Sequence, residues 1–183
     1  GTLHLLWYRA PINRLFRDEH FPDMERRYAI CYATLRDGVV NYSRTLVEAE
    51  EGLDGLIPTN IESEDSVLPW KIKGRKVVED PISTPRFQVT PDGRLFVIYY
   101  VSGTGPDNEQ VSENRILELY SDGSASRPVG IPLEHPLTEF FTATVRAGCE
   151  PSFTIDLLGY RRGGFGLFTD SPTTLSYAQV SVT

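Results

Sequence analysis

Cysteine, long apolar runs and basic charge are all scarce in this sequence. The 183 residues include only two cysteines, Cys31 and Cys149, and their separation fits no metal-ligand spacing. We therefore expect two buried free thiols, with a disulfide between them as the alternative. No apolar run reaches the roughly 18 residues of a membrane span, and no basic segment followed by an apolar stretch opens the chain.

Acidic residues outnumber basic ones. There are 25 Asp and Glu residues against 18 Lys and Arg, which gives a formal net charge of −7. This balance argues against nucleic acid or an anionic membrane as the main partner. Hydrophobic residues make up 40% of the chain and aromatic residues 11%, so the sequence can bury the core of one domain.

One segment, residues 84–132, has the pattern of a complete four-stranded antiparallel unit. Two Asp-Gly turns, at 92–93 and 122–123, separate its apolar runs, and glycine accepts the left-handed conformation that such turns require. Residues 94–101 are dense in Leu, Phe, Val, Ile and Tyr, which is typical of a strand buried on both faces. The four predicted strands are residues 85–89, 94–101, 114–120 and 125–133.

Parts of this unit occur three times along the chain. The aligned strands are residues 3–9, 95–101 and 155–161, and the strands that return after a long polar loop are residues 27–35, 114–120 and 174–182. Repeats of about 50 to 60 residues, each with four antiparallel strands, are typical of β-propeller blades. We therefore predict an all-β fold with about three blades in this chain, and a β-sandwich is the alternative.

The predicted propeller is incomplete. Its blade-like units cover residues 1–47, 84–133 and 138–183 of a single domain, with an excursion between blades at 48–83 whose acidic start, 48–54, favours a helix. A closed propeller needs at least about four blades. The remaining blades are therefore expected from the same longer polypeptide or from other chains.

Two turn sequences indicate a family. Residues 35–42, Leu-Arg-Asp-Gly-Val-Val-Asn-Tyr, and residues 120–124, Tyr-Ser-Asp-Gly-Ser, resemble degenerate Asp-boxes of the form Ser-x-Asp-x-Gly-x-Thr-Trp. With the opening strand Gly-Thr-Leu-His-Leu-Leu-Trp-Tyr-Arg, they make the chain similar to the sialidase-type BNR-repeat propellers. That family includes glycosidases, propeller-type polysaccharide lyases and glycan-binding members, so the resemblance implies a carbohydrate ligand.

The long loops are predicted to lie at one end of the blades and the tight turns at the other. Long loops on a rigid scaffold commonly carry binding residues, so we place the candidate site at the long-loop end. The candidate catalytic residues are His20, His135 and Tyr160, and the candidate substrate-binding residues are Arg9, Arg86, Arg161, Tyr8 and Tyr100.

Each candidate also has a structural interpretation. The arginines could pair with acidic residues of their own loop, the histidines could be ordinary loop residues, and the three equivalent tyrosines could share a packing role. His4 lies within an apolar strand and is expected to be a buried histidine with its hydrogen bonds satisfied. The acidic stretches 48–54 and 62–65 favour a helix and a solvated loop over a calcium site, because they have no EF-hand spacing, and no motif predicts another metal or a cofactor.

Two classes of function stay open at this point. In the first, the chain belongs to an enzyme that cleaves a uronate-containing polysaccharide by β-elimination, in which a His or Tyr removes the proton α to the carboxylate and Arg stabilises the enolate. A sialidase-like glycoside hydrolase would instead need two carboxylates about 5 to 9.5 Å apart, and the sequence singles out no such pair. In the second class, the propeller binds glycan or is purely structural. A carbohydrate-active chain would suit the periplasm or secretion.

Overall fold

A computed structural model describes the chain as an all-β, antiparallel protein. It describes residues 1–10, 20–21, 23–24, 27–50, 56–57, 77–78, 82–104, 110–143, 153–161 and 174–182. The strands in these ranges are β1 (Thr2–Arg9), β2 (Arg27–Arg36), β3 (Val39–Glu50), β4 (Leu56–Ile57), β5 (Val77–Val78), β6 (Ile82–Val89), β7 (Leu95–Thr104), β8 (Gln110–Leu119), β9 (Val129–Ile131), β10 (Glu139–Ala143), β11 (Thr154–Arg161) and β12 (Thr174–Ser181). In those ranges we find no helix with the length and apolar character needed to cross a membrane.

The strands form three larger sheets and one small pair. The first sheet has the order β1-β2-β3, the middle sheet β6-β7-β8-β9 and the last sheet β10-β11-β12, while β4 pairs with β5. The three repeated strands, β1, β7 and β11, therefore lie in three separate sheets. Both β7 and β11 lie between two neighbours, whereas β1 pairs with β2 alone in the described part of the chain.

The middle sheet is buried on both faces because it packs between the other two. Along β7, Phe96 and Ile98 belong to the core shared with the last sheet, whereas Val97 and Tyr99 belong to the core shared with the first sheet. Alternate side chains of a strand point to opposite faces. The apolar density of β7 is thus explained by two cores that meet on one strand, as its sequence predicts.

Two side chains join the middle sheet to the last one through β6 and β10. The Arg86 guanidinium donates to the Phe140 carbonyl oxygen at 2.9 Å, and the Thr142 hydroxyl donates to the Phe87 carbonyl oxygen at 3.0 Å. Residue numbers rise together along both strands in these contacts, so β6 and β10 run side by side in the same direction. The ends of the two strands, at Val89 and Ala143, therefore lie on the same side.

Tight turns of Asp-Gly type connect β2 to β3, β6 to β7 and β8 to β9. Their glycines, Gly38, Gly93 and Gly123, have φ values of +77°, +83° and +84°. This left-handed region is open to glycine and costly for residues with a Cβ atom. The turn chemistry read from the sequence therefore fixes where these three connections are made.

Some predicted boundaries are wrong. Strand β3 continues through Glu48 to Glu50, so the helix predicted to begin at 48 does not form there; residues 51–54 lie outside the described ranges. Strand β6 begins at Ile82, with an irregular register between Ser83 and Arg86. The fourth strand of the middle sheet is reduced to β9, preceded by one bridge between Leu119 and Ala125.

The cysteine prediction can be checked at one position. Cys31 lies in β2 as a buried free thiol, and Cys149 lies outside the described residues. A free thiol at 31 agrees with two unpaired cysteines and not with the alternative disulfide.

Candidate functional site: a cleft between the first and middle sheets

A cleft of about 590 Å³ opens where the turn ends of the first and middle sheets face each other. The first sheet contributes mainly polar and aromatic residues, and the middle sheet contributes two turns and two leucines. The lining residues are Thr2, His4, Tyr32, Thr34, Arg36, Asn41 and Tyr42 from the first sheet and Gly93, Leu95, Leu119, Tyr120, Ser121, Asp122 and Gly123 from the middle sheet.

Strand register explains why the polar side chains collect there. Thr2 pairs with Arg36, His4 pairs with Thr34, and Thr34 pairs with Tyr42. Paired residues share a face of the sheet, and this is the face that packs on the middle sheet. Farther from the turns, the same face carries core residues such as Ile30 and Tyr28. The inward face thus changes from apolar to polar toward the turn end.

Two turns of the middle sheet have a glycine where they face the cleft, so no side chain fills the space there. Gly93 and Gly123 line the cleft without a side chain. A Cβ atom at position 123 would lie 2.8 Å from Cζ of Tyr42, whereas nothing lies within 4 Å of one at position 93. The Tyr42 ring therefore fits against the turn only because residue 123 is glycine.

His4 and Tyr32 form a hydrogen-bonded pair on the floor of the cleft. Nδ1 of His4 lies 2.8 Å from the Tyr32 hydroxyl oxygen, and the two rings are stacked with centroids 6.0 Å apart. Burial and the neighbouring Tyr42 raise the pKa of Tyr32, so its hydroxyl keeps its proton at neutral pH. A neutral phenol beside an imidazole gives the cleft both a donor and an acceptor.

Tyr42 and Arg44 hold the turn of the middle sheet against the first sheet. The Tyr42 hydroxyl and Nη1 of Arg44 each donate to the Gly123 carbonyl oxygen at 2.9 Å. Next to it, Asp122 accepts hydrogen bonds from the hydroxyl and the backbone N–H of Ser124. These bonds lower the pKa of Asp122, so the wall of the cleft carries a carboxylate at neutral pH.

The lining can recognise hydroxyl-rich and acidic ligands. The exposed ring of Tyr120 offers a flat apolar surface and a hydroxyl group, and an arginine such as Arg36 can bind a carboxylate with two parallel hydrogen bonds. Within the described ranges, no group of three or more His, Cys, Asp or Glu side chains is placed to hold a metal ion.

The arginines expected to bind substrate make contacts with the protein itself. Arg9, at the end of β1, lies 3.5 Å from Glu48, which also lies 3.7 Å from Arg27. Arg86 donates to backbone oxygens, and its guanidinium carbon lies 6.0 and 5.7 Å from the ring centroids of Phe140 and Phe141. Arg161 is the last residue of β11, and its side chain lies outside the described part.

The three equivalent tyrosines differ in their surroundings. Tyr8 is half-buried and stacks on Tyr28 with centroids 6.1 Å apart. Tyr100 is buried, and its hydroxyl lies 2.9 Å from the Ser112 hydroxyl. Tyr160 is half-buried in β11. Packing thus accounts for the contacts seen at Tyr8 and Tyr100.

The two candidate histidines of the long-loop end are exposed. His20 lies between β1 and β2, with its ring edge toward Phe21. His135 lies between β9 and β10, and its Nε2 is 3.8 Å from a Glu134 oxygen. Both segments are connections at the end away from the tight turns, as predicted. Loop residues 11–19, 105–109 and 162–173 lie outside the described ranges.

Sequence reasoning missed the cleft and misjudged His4. His4 is exposed, not buried, because the glycine turns of the middle sheet leave the space opposite it open. Tyr32, Arg36 and Tyr42 were not singled out. The available signal was a set of polar residues at alternate positions on a face that otherwise packs in the core. Polar side chains are seldom buried, so their presence on such a face indicates that it opens to solvent there.

The chain matches no protein-family model, and no curated protein and no solved structure matches it. Its function is therefore inferred from the sheet arrangement and the cleft.

Proposed function

We propose that this chain is a segment of a β-propeller that binds carbohydrate, with the cleft between the first and middle sheets as the glycan site. One observation supports the binding site above all: the face of the first sheet that is apolar over most of its length becomes polar and aromatic where it lines the cleft. Glycans suit such a lining, because tyrosine rings stack on sugar faces and hydroxyl groups exchange hydrogen bonds with His, Tyr and Thr side chains.

Three features support the propeller. Three antiparallel sheets pack face to face in a row, the middle one is buried on both faces, and β6 and β10 lie side by side in the same direction. Inner strands of successive blades have this relationship around a propeller axis. A sandwich has two sheets, so a third stacked sheet favours the propeller. On this proposal, which follows the resemblance to sialidase-type BNR-repeat propellers, the remaining blades come from the same longer polypeptide or from other chains.

Among sugars, the cleft favours those with a carboxylate. Arg36 lines one side, and the hydrogen-bonded pair of His4 and Tyr32 lies nearby. Asp122 adds a negative charge on the opposite wall, where it can accept hydrogen bonds from sugar hydroxyl groups. The expected ligand is therefore an oligosaccharide that contains a uronate or another acidic sugar.

Calorimetric titration with neutral and uronate-containing oligosaccharides tests this proposal. Tyr120→Ala and Arg36→Ala should each weaken binding about tenfold or more, which corresponds to a loss of about 1.4 kcal/mol. Arg127→Ala is the matched control, because Arg127 is exposed and does not line the cleft. No binding of any glycan by the wild-type chain, or equal affinity of all three variants, contradicts the proposal.

β-Elimination at the opposite end of the sheets is the second candidate function. Arg9, His20 and His135 all lie at that end, and both histidines are exposed. A histidine would remove the proton α to the uronate carboxylate, the bond to the leaving oxygen would break with formation of a carbon–carbon double bond, and an acid would protonate that oxygen.

The unsaturated uronate made in this reaction absorbs ultraviolet light, so product can be followed directly. If a histidine is the base, His20→Ala or His135→Ala should lower the rate about 10² to 10⁴ fold while glycan affinity in the cleft stays unchanged. Arg127→Ala again serves as the control. Absence of product from every uronate polymer tested rules out this second candidate. The proposal that the cleft binds glycan does not depend on this result.

A further inference from the structure

Among the described residues that line the cleft, His4 belongs to the class of side chain that changes charge near neutral pH. Histidine ordinarily gains or loses a proton between about pH 5 and 8, whereas tyrosine and arginine as classes titrate above that range and aspartate below it. His4 is exposed and lines the cleft from β1. A change of pH across this range therefore alters the charge of the cleft at His4.

We propose that His4 makes the binding of acidic glycans in the cleft depend on pH: its charged form attracts the sugar carboxylate, so affinity is higher at mildly acidic than at neutral pH. This inference rests on the proposed function and adds the regulation of the same site. Neutral glycans are expected to bind with little dependence on pH.

The contact between His4 and Tyr32 accommodates both protonation states of the imidazole. Nδ1 of His4 lies 2.8 Å from the Tyr32 hydroxyl oxygen, and Tyr32 keeps its proton because burial and the neighbouring Tyr42 raise its pKa. A hydroxyl group can both donate and accept. The Tyr32 hydroxyl therefore donates to Nδ1 of the neutral ring and accepts from the Nδ1–H of the charged ring.

This contact also determines what the ring offers to a ligand. Since Nδ1 of His4 faces Tyr32, a ligand in the cleft contacts the other ring nitrogen, Nε2. The neutral ring carries its proton on Nε2 when Nδ1 accepts, and the charged ring carries a proton on both nitrogens. Nε2–H is thus a donor to a sugar hydroxyl group in either state. A carboxylate gains in addition from the positive charge, because hydrogen bonds between charged groups are the stronger ones.

Other charges near His4 stay constant over the same pH range. Arg36 lies two residues beyond Thr34, the cross-strand partner of His4, and attracts a carboxylate at every pH. Hydrogen bonds from neighbouring hydroxyl groups lower the pKa of Asp92 and Asp122, so both stay ionised. On the elements that line the cleft, the charged and titratable groups near His4 are Tyr32 and Arg36 of β2, Tyr42 and Arg44 of β3, Asp92 of the turn before β7, and Tyr120 and Asp122 of the turn after β8.

Calorimetric titration at about pH 5.5 and about pH 7.5, on either side of the ordinary histidine pKa, tests the inference. Uronate-containing oligosaccharides are compared with the same oligosaccharides after reduction of their carboxyl groups to alcohols. The uronate forms should bind the wild-type chain about three- to tenfold more tightly at the lower pH, and the reduced forms about equally at both.

Two variants assign the pH dependence. His4→Gln keeps a polar side chain but has no titrating charge, so its affinity for the uronate forms should be the same at both pH values. Arg127→Ala, outside the cleft, should keep the pH dependence of the wild type.

Nuclear magnetic resonance of the histidine rings provides a second readout. Because linkage is reciprocal, an acidic ligand that favours charged His4 must raise the pH at which His4 titrates. The ring C–H signals of His4, identified by their loss in His4→Gln, are followed against pH with and without a uronate oligosaccharide. Their midpoint should rise by about 0.5 to 1 pH unit, which matches the three- to tenfold change in affinity.

The outcomes separate the inference from the proposed function. Equal affinity of the uronate forms at both pH values, a pH dependence that persists in His4→Gln, or a midpoint that the uronate forms leave unchanged overturns the inference alone. Binding of no oligosaccharide at either pH contradicts the proposed function, and the inference with it.

Discussion

At the residue scale, Gly123 controls the fit between the first and middle sheets. Its φ of +84° is unfavourable for any residue with a Cβ atom, and its neighbour across the interface is the ring of Tyr42. The Tyr42 hydroxyl bonds to the carbonyl oxygen of the same glycine. Any side chain at position 123 therefore disturbs both the backbone and the contact that holds one wall of the cleft.

Gly123→Ala should destabilise the protein more than Gly93→Ala. Both glycines have nearly the same φ, so the backbone cost of about 1 to 2 kcal/mol is common to both. At position 123 the Tyr42 ring must also move away, which breaks its hydrogen bond and adds about 1 kcal/mol. Urea denaturation measures the two free energies of unfolding, and equal losses would show that the Tyr42 contact contributes nothing.

The pair formed by Arg94 and Glu118 should make stability depend on acidic pH. Nε and Nη2 of Arg94 donate to the two carboxylate oxygens of Glu118, each at 2.9 Å. This lowers the pKa of Glu118 from its ordinary value of 4.5. A carboxyl group whose pKa is lower in the folded state stabilises the protein above its unfolded pKa and loses that effect as pH falls through the folded value.

The difference in free energy of unfolding between the wild type and Glu118→Gln should therefore shrink as pH falls below 4.5. Asp92 and Asp122 also have lowered pKa values, but they are present in both proteins and largely cancel in the difference. Urea denaturation at a series of pH values provides the measurement. A difference that stays constant with pH would mean that the charge on Glu118 has no role in the pair.

At the element scale, Asn114 of β8 anchors the connection from the middle sheet to the last sheet. Its side-chain amide donates to the Leu137 carbonyl oxygen at 2.9 Å, and its carbonyl oxygen accepts from the Leu137 N–H at 2.7 Å. Both residues are buried. The segment that carries His135 is thereby fixed to the sheet just before β10 begins.

Asn114→Ala should lower the free energy of unfolding by about 2 to 6 kcal/mol. The substitution removes two hydrogen bonds and leaves a buried N–H and a buried C=O of Leu137 without their partner, and each such loss costs about 1 to 3 kcal/mol. Asn41→Ala, at an exposed position, should change stability by less than about 0.5 kcal/mol. Similar effects at the two positions would contradict the anchoring role.

How far the sequence predicts the elements depends on how local their determinants are. Strand β7 is predictable because its apolar density has no other explanation, and the Asp-Gly turns are predictable because their backbone needs glycine. The start of β6 is not, because Pro85 suggests a boundary whereas the strand continues through an irregular register. The end of β3 is acidic and favours a helix locally, but Glu48 pairs with Ala29 in the sheet and lies near two arginines.

The candidate site was harder to predict than the strands. The cleft depends on which ends of two sheets face each other, and no local pattern encodes that. His4 illustrates the difficulty, because its neighbours in sequence are apolar, yet it faces the open space beside Gly93 and Gly123. The long loops led to the prediction of a site at the opposite end of the sheets, where Arg9 and His135 lie. The order of the strands within each sheet follows from the sequence repeat, but the spacing between sheets does not.

At the scale of the whole molecule, the three larger sheets form a row, and a cleft opens between the first and middle sheets. Polar and aromatic residues of the first and middle sheets line the open cleft, and the proposed function assigns glycan binding to it. Large apolar side chains such as Trp7 and Phe141 are exposed on the outer faces of the first and last sheets.

Nuclear magnetic resonance titration tests the location of the glycan site most directly. Amide signals of the ¹⁵N-labelled chain are followed while an acidic oligosaccharide is added. The glycan-site proposal predicts the largest shifts at Thr34, Gly93 and Gly123, with little change at Arg9 and His135. Shifts confined to the long-loop end, or none at saturating ligand, would contradict a glycan site in the cleft.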